Sequence, residues 1–248
     1  MTRRMLAIIG GSGLTQLGNL EVTHRQEVRT PYGEPSAPLV FGNVLGIPVV
    51  FLARHGHGHT IPPHEVNYRA NLWALHDRGA ESVVSVASVG GIRSGYTPGT
   101  IAIPDQIIDY TWGRRHTFFE NGAAVTHVDF TEPYSRDLRA RLLAAAAACG
   151  EAVLERAVYA VTQGPRLETA AEIRRLERDG ADIVGMTAMP EASLARELGL
   201  RYAAIGVVAN FAAGRGDSRE SVSMEKMEAV LREAMARVHR IIEALVKQ

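Results

Sequence analysis

Several stretches of this chain combine small residues, hydroxyls and isolated charged or amide side chains in patterns that suit ligand chemistry. Gly10-Gly11-Ser12-Gly13 follows an apolar run and offers backbone N–H groups and one hydroxyl to an anion. It is not a dinucleotide fingerprint, because Gln16 stands where a third glycine or alanine is needed, and no Gly-Lys-Ser/Thr follows to make a P-loop. A tight turn is the other use of the same glycines. Arg54-His55-Gly56-His57-Gly58-His59 brings a guanidinium suited to bidentate phosphate recognition. Its alternating histidines, with His64, could instead ligate a metal, but no cysteine or acidic cluster completes a ligand set and the glycines make a poor preformed cage. A solvated loop is the third reading.

Four more stretches follow apolar runs. Ser85-Val86-Ala87-Ser88-Val89-Gly90-Gly91 is small enough for a ligand to lie against the backbone, or simply packs a strand into a turn. Thr162-Gln163-Gly164-Pro165-Arg166-Leu167-Glu168-Thr169 places a rigid turn before a helix, where Glu168 or Thr169 serves either as a cap or as a ligand contact. In Gly185-Met186-Thr187-Ala188-Met189-Pro190-Glu191, Thr187 can donate to an anion, and Met186 can cover an apolar ligand face or fill the core. Asn210, closing the run Val207-Val208-Ala209, can both donate and accept a hydrogen bond; an Asx turn is its alternative role.

These residues need strands to carry them. Short apolar runs at 5–9, 39–41, 48–52, 82–86, 100–103, 157–162, 183–186 and 202–208 read as strands. Several are unbroken rather than alternating, which predicts burial on both faces. Apolar residues at helical spacing occupy 67–78, 134–149, 169–179, 190–198 and 223–246. The first four stop at Gly79, Gly150, Gly180 and Gly199, the expected helix stops. Strands alternating with helices predict an α/β fold: a twisted mixed sheet, mostly parallel, with helices on both faces. No repeat or linker interrupts residues 1–248, so one domain is expected. Ligands in such folds gather at the C-terminal ends of strands, where these motifs lie.

Composition narrows the function further. The 248 residues can bury a substantial core. Lys plus Arg and Asp plus Glu number 27 each, and zero net charge argues against nucleic-acid or anionic-membrane binding. The single cysteine, Cys149, excludes an intrachain disulfide and reads as a small buried residue. No apolar run approaches a membrane span or a signal segment, and the expected compartment is the cytoplasm.

In their order, Ile-Ile-Gly-Gly-Ser-Gly, Arg-His-Gly, Pro-Pro-His-Glu-Val-Asn-Tyr-Arg-Ala-Asn, Gln-Gly-Pro-Arg and Gly-Met-Thr-Ala-Met-Pro-Glu resemble the trimeric nucleoside phosphorylase family. The resemblance runs from Ile8 to the last helix, and is greatest to the branch of methylthioadenosine and methylthioinosine phosphorylases. It implies a pentosyltransferase that cleaves a purine nucleoside with inorganic phosphate, without metal or organic cofactor. By the same resemblance, phosphate is held by Ser12, Arg54, His55, Ala87, Ser88 and Thr187, Met186 lies against the ribose, and Asn210 and His55 are catalytic. Leu167, Glu168, Thr169, Phe211, Ala212, Val222, Ser223 and Met224 fall at the nucleoside. His127 falls in the 5′ pocket of a neighbouring subunit. A homotrimer, or a dimer of trimers, is implied.

Two departures bear on the substrate. Methylthioadenosine enzymes resembling this chain carry aspartates at the positions of Asn210 and Ala212. An amide can donate to O6 and interact with N7 of a 6-oxopurine, which predicts a hypoxanthine-type base. Met224, with Met227 a helical turn later, suits a methylthio group. Together these point to S-methyl-5'-thioinosine. Inosine or guanosine is the alternative, since Ser221 and Ser223 could serve a 5′-hydroxyl; methylthioadenosine and a non-catalytic nucleoside binder are the others.

Overall fold

The computed structural model describes residues 5–120, 122, 124 and 126–248. In chain order its strands are β1 (Met5–Gly10), β2 (Glu21–Gln26), β3 (Leu39–Val44), β4 (Ile47–Ala53), β5 (Ala80–Gly91), β6 (Ile101–Ala102), β7 (Gln106–Asp109), β8 (Val158–Val161), β9 (Ile183–Gly185) and β10 (Arg201–Phe211). The helices are α1 (Tyr68–Asp77), α2 (Arg136–Ala148), α3 (Ala170–Arg178), α4 (Ala188–Glu197) and α5 (Met224–Val246). Among the described residues the strands form one mixed ten-stranded sheet flanked by the helices. β1, β4, β5 and β10, which read as unbroken apolar runs, are its buried parallel centre. α1 packs on α4 and α2 on α5.

Side-chain caps account for the helix bounds. Asn67, Ser135, Thr169 and Ser223 each accept a backbone N–H of the first turn, so four predicted helices begin one or two residues later than periodicity suggested. α4 begins instead at Ala188 and is broken at Met189, whose φ of −119° and ψ of 137° are extended.

Several expectations change. β2 and β7 were not anticipated, because both lie at sheet edges and their largely polar, mostly exposed sequences carry no core-facing pattern. β6 covers only 101–102 of the expected 100–103. Cys149 is half-buried rather than buried: it ends α2, and its thiol donates to the Ala146 carbonyl at 3.4 Å.

The largest change concerns β5. It runs to Gly91 rather than Val86, so Ala87, Ser88 and Val89 sit within a strand and not in a turn. One edge of β5 pairs with β10 almost throughout. The other pairs with β1 as far as Val86 and with β9 only from Gly90. Between those partners the edge lies open at Ala87–Val89. A sheet that changes neighbour in this way leaves a crevice at its strand ends.

Candidate active site

That crevice is a cavity of about 560 Å³, within the few-hundred-Å³ range usual for small-molecule sites. Six strands supply it. The turn after β1 brings Ser12, and the loop after β4 brings Arg54, His55 and His59. The open edge of β5 contributes Ala87 and Ser88, the segment after β9 contributes Met186 and Thr187, and the end of β10 contributes Asn210 and Ala212. Leu167 and Glu168 enter from the loop after β8, while Val222, Met224 and Met227 close one end.

Arg54 is the most constrained of these side chains. It is fully buried and forms a bidentate pair with buried Glu191, from Nε at 2.8 Å and Nη2 at 3.2 Å. Nη2 also donates to the Ser85 hydroxyl, and Nη1 to the Val86 carbonyl at 3.2 Å. Burial disfavours its charge, but Glu191 more than offsets that and holds the guanidinium above its ordinary pKa. The Tyr202 hydroxyl donates to the same carboxylate at 2.7 Å. Of five N–H groups, one on Nη1 is left for a ligand. The expected bidentate grip of Arg54 on phosphate is therefore replaced by a single donor and a fixed positive charge. Gly11 permits this placement: a Cβ there would stand 2.6 Å from Nη1.

His55 Nδ1–H donates to the Ile61 carbonyl at 2.8 Å. Burial, and then the neighbouring Arg54 charge, push its pKa down to about 4. The ring is thus neutral at neutral pH, with Nε2 a hydrogen-bond acceptor. Ser12 Oγ lies 3.4 Å from His59 Nε2, and burial and Arg54 lower the His59 pKa as well. Thr187 stands at the N-terminus of α4 without a side-chain cap, and its buried side chain lines the cavity beside the Tyr159 hydroxyl. The turn at Gly10–Gly13 is real, closed by Leu14 N–H on the Gly11 carbonyl at 3.0 Å, and it also presents Ser12. The tight-turn reading of that loop holds, and Ser12 lines the cavity wall.

Glu168 accepts the Thr162 hydroxyl at 2.6 Å, and burial raises its carboxyl pKa against that hydrogen bond. Asn210 Nδ2 donates to the Phe211 carbonyl at 2.6 Å, which leaves one N–H and the amide oxygen for a ligand. A family model described as the phosphorylase superfamily matches residues 5–247, nearly the whole chain.

The chain belongs to the phosphorylase superfamily.

Its relatives within that superfamily include the probable S-methyl-5'-thioinosine phosphorylase of Pseudomonas syringae pv. tomato, 55% identical over 233 residues and 94% of each chain. The 6-oxopurine nucleoside phosphorylase of Pyrococcus furiosus is 46% identical, over 84% of this chain and 80% of its own. Among solved structures, the methylthioadenosine phosphorylase of Schistosoma mansoni in complex with adenine superposes with a TM-score of 0.95 at 34% identity, covering 99% of this chain and 91% of that one.

Most of the residues that the resemblance assigned meet in the phosphorylase cavity, but four do not line it. Thr169 is the cap of α3, in a reciprocal pair with Glu172, and only its neighbour Glu168 reaches the cavity. Ser223 is the cap of α5, accepting the Lys226 N–H. Phe211 packs at Gly216, where a Cβ would meet its ring at 2.6 Å. His127 is exposed and away from the cavity of its own chain. Among the described residues no trio of His, Cys, Asp or Glu converges as metal ligands, and His57 and His64 line no part of the site.

Sequence reading missed the structural partners of Arg54. Glu191 and Ser85 stand beside apolar runs, and their motifs carried the only available signal; Tyr202, which holds Glu191, lay in no motif. It also passed over His59 as a site residue, although its loop was singled out.

Proposed function

We propose that this phosphorylase cleaves S-methyl-5'-thioinosine with inorganic phosphate, giving hypoxanthine and 5-methylthioribose 1-phosphate. The observation that carries the reading is the layout of one cavity. It brings together hydroxyls and a fixed charge from Ser12, Thr187 and Arg54, the amide of Asn210 and the carboxylate of Glu168, and the apolar side chains of Val222, Met224 and Met227. The name carried by the Pseudomonas syringae relative accords with it.

Phosphate binds through Ser12, the remaining Arg54 N–H, Thr187 and the unpaired backbone at Ala87–Ser88. Neutral His55 accepts the single P–OH of the dianion, which turns unprotonated oxygens toward the sugar. The C1′–N9 bond stretches first, and its electron pair moves into the purine. The positive charge growing at C1′ is met by phosphate, whose oxygen then bonds to C1′. The departing hypoxanthine takes a proton at N7 from solvent, and the newly formed sugar phosphate gives up its P–OH proton to solvent in exchange, so charge balances. Asn210 can accept that N7–H on its amide oxygen and donate its free N–H to O6. Phosphate supplies both nucleophile and charge, so the chemistry needs no cofactor.

Glu168 sharpens the choice of base. An ionised carboxylate accepts the N1–H that hypoxanthine has and adenine lacks. At the 5′ end Ser221 and Ser223 are absent from the cavity wall, whereas Met224 and Met227 form it, which favours methylthio over hydroxyl. The reading includes a homotrimer, or a dimer of trimers, in which His127 completes a neighbour's 5′ pocket. It also places the enzyme in the cytoplasm, which a chain with one cysteine suits. Among the described residues no helix is long and apolar enough to cross a membrane.

The test is a panel of methylthioinosine, inosine, guanosine and methylthioadenosine, each with and without phosphate. Phosphate-dependent release of hypoxanthine, fastest from methylthioinosine, is expected. Equal turnover without phosphate would indicate a hydrolase, and tight binding without turnover a sensor.

A further inference from the structure

Arg114 lies in the stretch between β7 and α2, is buried, and lines no part of the cavity. Its Nε donates to the Gln163 side-chain oxygen at 3.2 Å. Nη2 donates to the carbonyls of Gln163 at 2.8 Å and Thr162 at 3.3 Å. Nη1 donates to the carbonyls of Met189 at 2.6 Å and Met186 at 2.8 Å, and to the Tyr68 hydroxyl at 3.3 Å. The guanidinium carbon stands 5.5 Å from the centre of the Tyr68 ring. None of these partners is a carboxylate. A buried cation compensated only by dipoles and a ring face is expensive in free energy, so its placement calls for a reason.

The partners fall into two groups. Thr162 and Gln163 leave the end of β8, and Met186 and Met189 flank the segment leaving β9. Those strands run parallel and end side by side, with Val161 opposite Gly185. The first segment leads to Glu168, which the Thr162 hydroxyl holds. The second carries Met186 and Thr187, and then Glu191, the partner of Arg54. The break in α4 leaves the extended Met189 free to turn its carbonyl to Arg114. The two segments also touch directly, because a Cβ at Gly164 would stand 2.4 Å from the Met186 sulfur.

We propose that Arg114 is a positioning residue: one planar guanidinium sets the separation between the base end of the site at Glu168 and the phosphate and ribose end at Met186 and Thr187. It touches no substrate and acts through the backbone of both segments. A lysine keeps the charge but cannot span both groups, since an ammonium offers three donors from one point. The inference rests on the phosphorolysis reading for the identity of the ligands at the two ends.

The experiment compares wild type with Arg114→Lys, Arg114→Met, Gln163→Ala and Tyr68→Phe. Folded fraction is measured by circular dichroism and melting. Hypoxanthine and inorganic phosphate are titrated separately by calorimetry, and kcat and KM are obtained per folded molecule. In folded Arg114→Lys both ligands should bind about ten-fold or more weakly, because several charge-assisted hydrogen bonds are lost. KM for phosphate and for nucleoside should rise together while kcat falls. Gln163→Ala and Tyr68→Phe, each removing one partner, should shift the same constants in the same direction by a few-fold; they decide the matter should neither Arg114 variant fold. Wild-type affinities in folded Arg114→Lys, or in both partner variants where only those fold, would overturn the proposal. So would a loss of activity that merely tracks the folded fraction. A wild type that binds hypoxanthine yet turns over independently of phosphate sinks the phosphorylase reading instead, and hypoxanthine binding still reads the Arg114 comparison.

Discussion

An arginine beside a phosphate site ordinarily forks around the anion, but Arg54 directs its fork into the protein, at Glu191. What these bonds leave over is one N–H and a charge that cannot rotate away. Asn210 is similarly half committed, with one N–H bound to the Phe211 carbonyl. Asn210→Asp should shift base preference toward adenine nucleosides, to an extent limited by the inert Ala212; unchanged preference in the nucleoside panel would leave Asn210 a turn residue only. Glu168→Gln should lower kcat/KM for hypoxanthine nucleosides by about 10²-fold, since an amide cannot match a carboxylate as acceptor for a buried N1–H. His55 carries a pH signature. Its pKa is lowered from 6.5 to about 4 in the folded chain, so the unfolded chain takes up the proton first as pH falls. Stability should therefore drop between pH 6.5 and about 4, by roughly 3 kcal/mol at most, and then level off. Urea unfolding of wild type against His55→Asn across that window isolates this share from the carboxylates.

At the scale of elements, the site exists because β5 outlasts β1. Its edge is paired to Val86, open over three residues, and paired again from Gly90. The helices then hold what the strand ends present: α4 delivers Glu191 to Arg54, and α5 begins with Met224 and Met227 at the cavity wall. Glu191→Gln leaves a guanidinium buried beside a neutral amide and should cost about 3–5 kcal/mol in chemical unfolding, with loss of phosphate affinity. Gly11→Ala should also weaken phosphate binding, because its Cβ collides with Arg54 Nη1 rather than with a movable surface group. Normal phosphate KM in folded Gly11→Ala would mean that Arg54 has room to shift.

The whole molecule leaves apolar and site residues on its outside. Met224 is 61% exposed at the rim of the cavity, and Trp112 is 72% exposed. Zero net charge gives little electrostatic resistance to self-association. In the proposed trimer, His127 acts on a neighbour's substrate. His127→Ala should then lower kcat/KM for methylthioinosine several-fold, although its ring lies away from the cavity of its own chain. Sedimentation of wild type and variant should show the same trimer, and a catalytically normal variant or a monomeric wild type would remove His127 from the site.

Local chemistry alone settled much of this protein. Unbroken apolar runs marked the buried parallel strands, helix stops at Gly79 and Gly180 fell where expected, and the order of motifs from Gly10 to Asn210 carried the family. Those features depend on near neighbours in the chain, so periodicity and residue type suffice to read them. Other features came only with the folded chain. Thr169 and Ser223 became helix caps, while Glu168 and Met224, each one residue away, lined the cavity; a single position along a turn decides which. Arg54 and Glu191 are 137 residues apart, and Arg114 binds carbonyls that any residue types would supply. Hydrogen bonds to backbone oxygens and pairs closed across the sheet leave no pattern in residue order, because the spacing that makes them is set by the packing of strands and not by the chain.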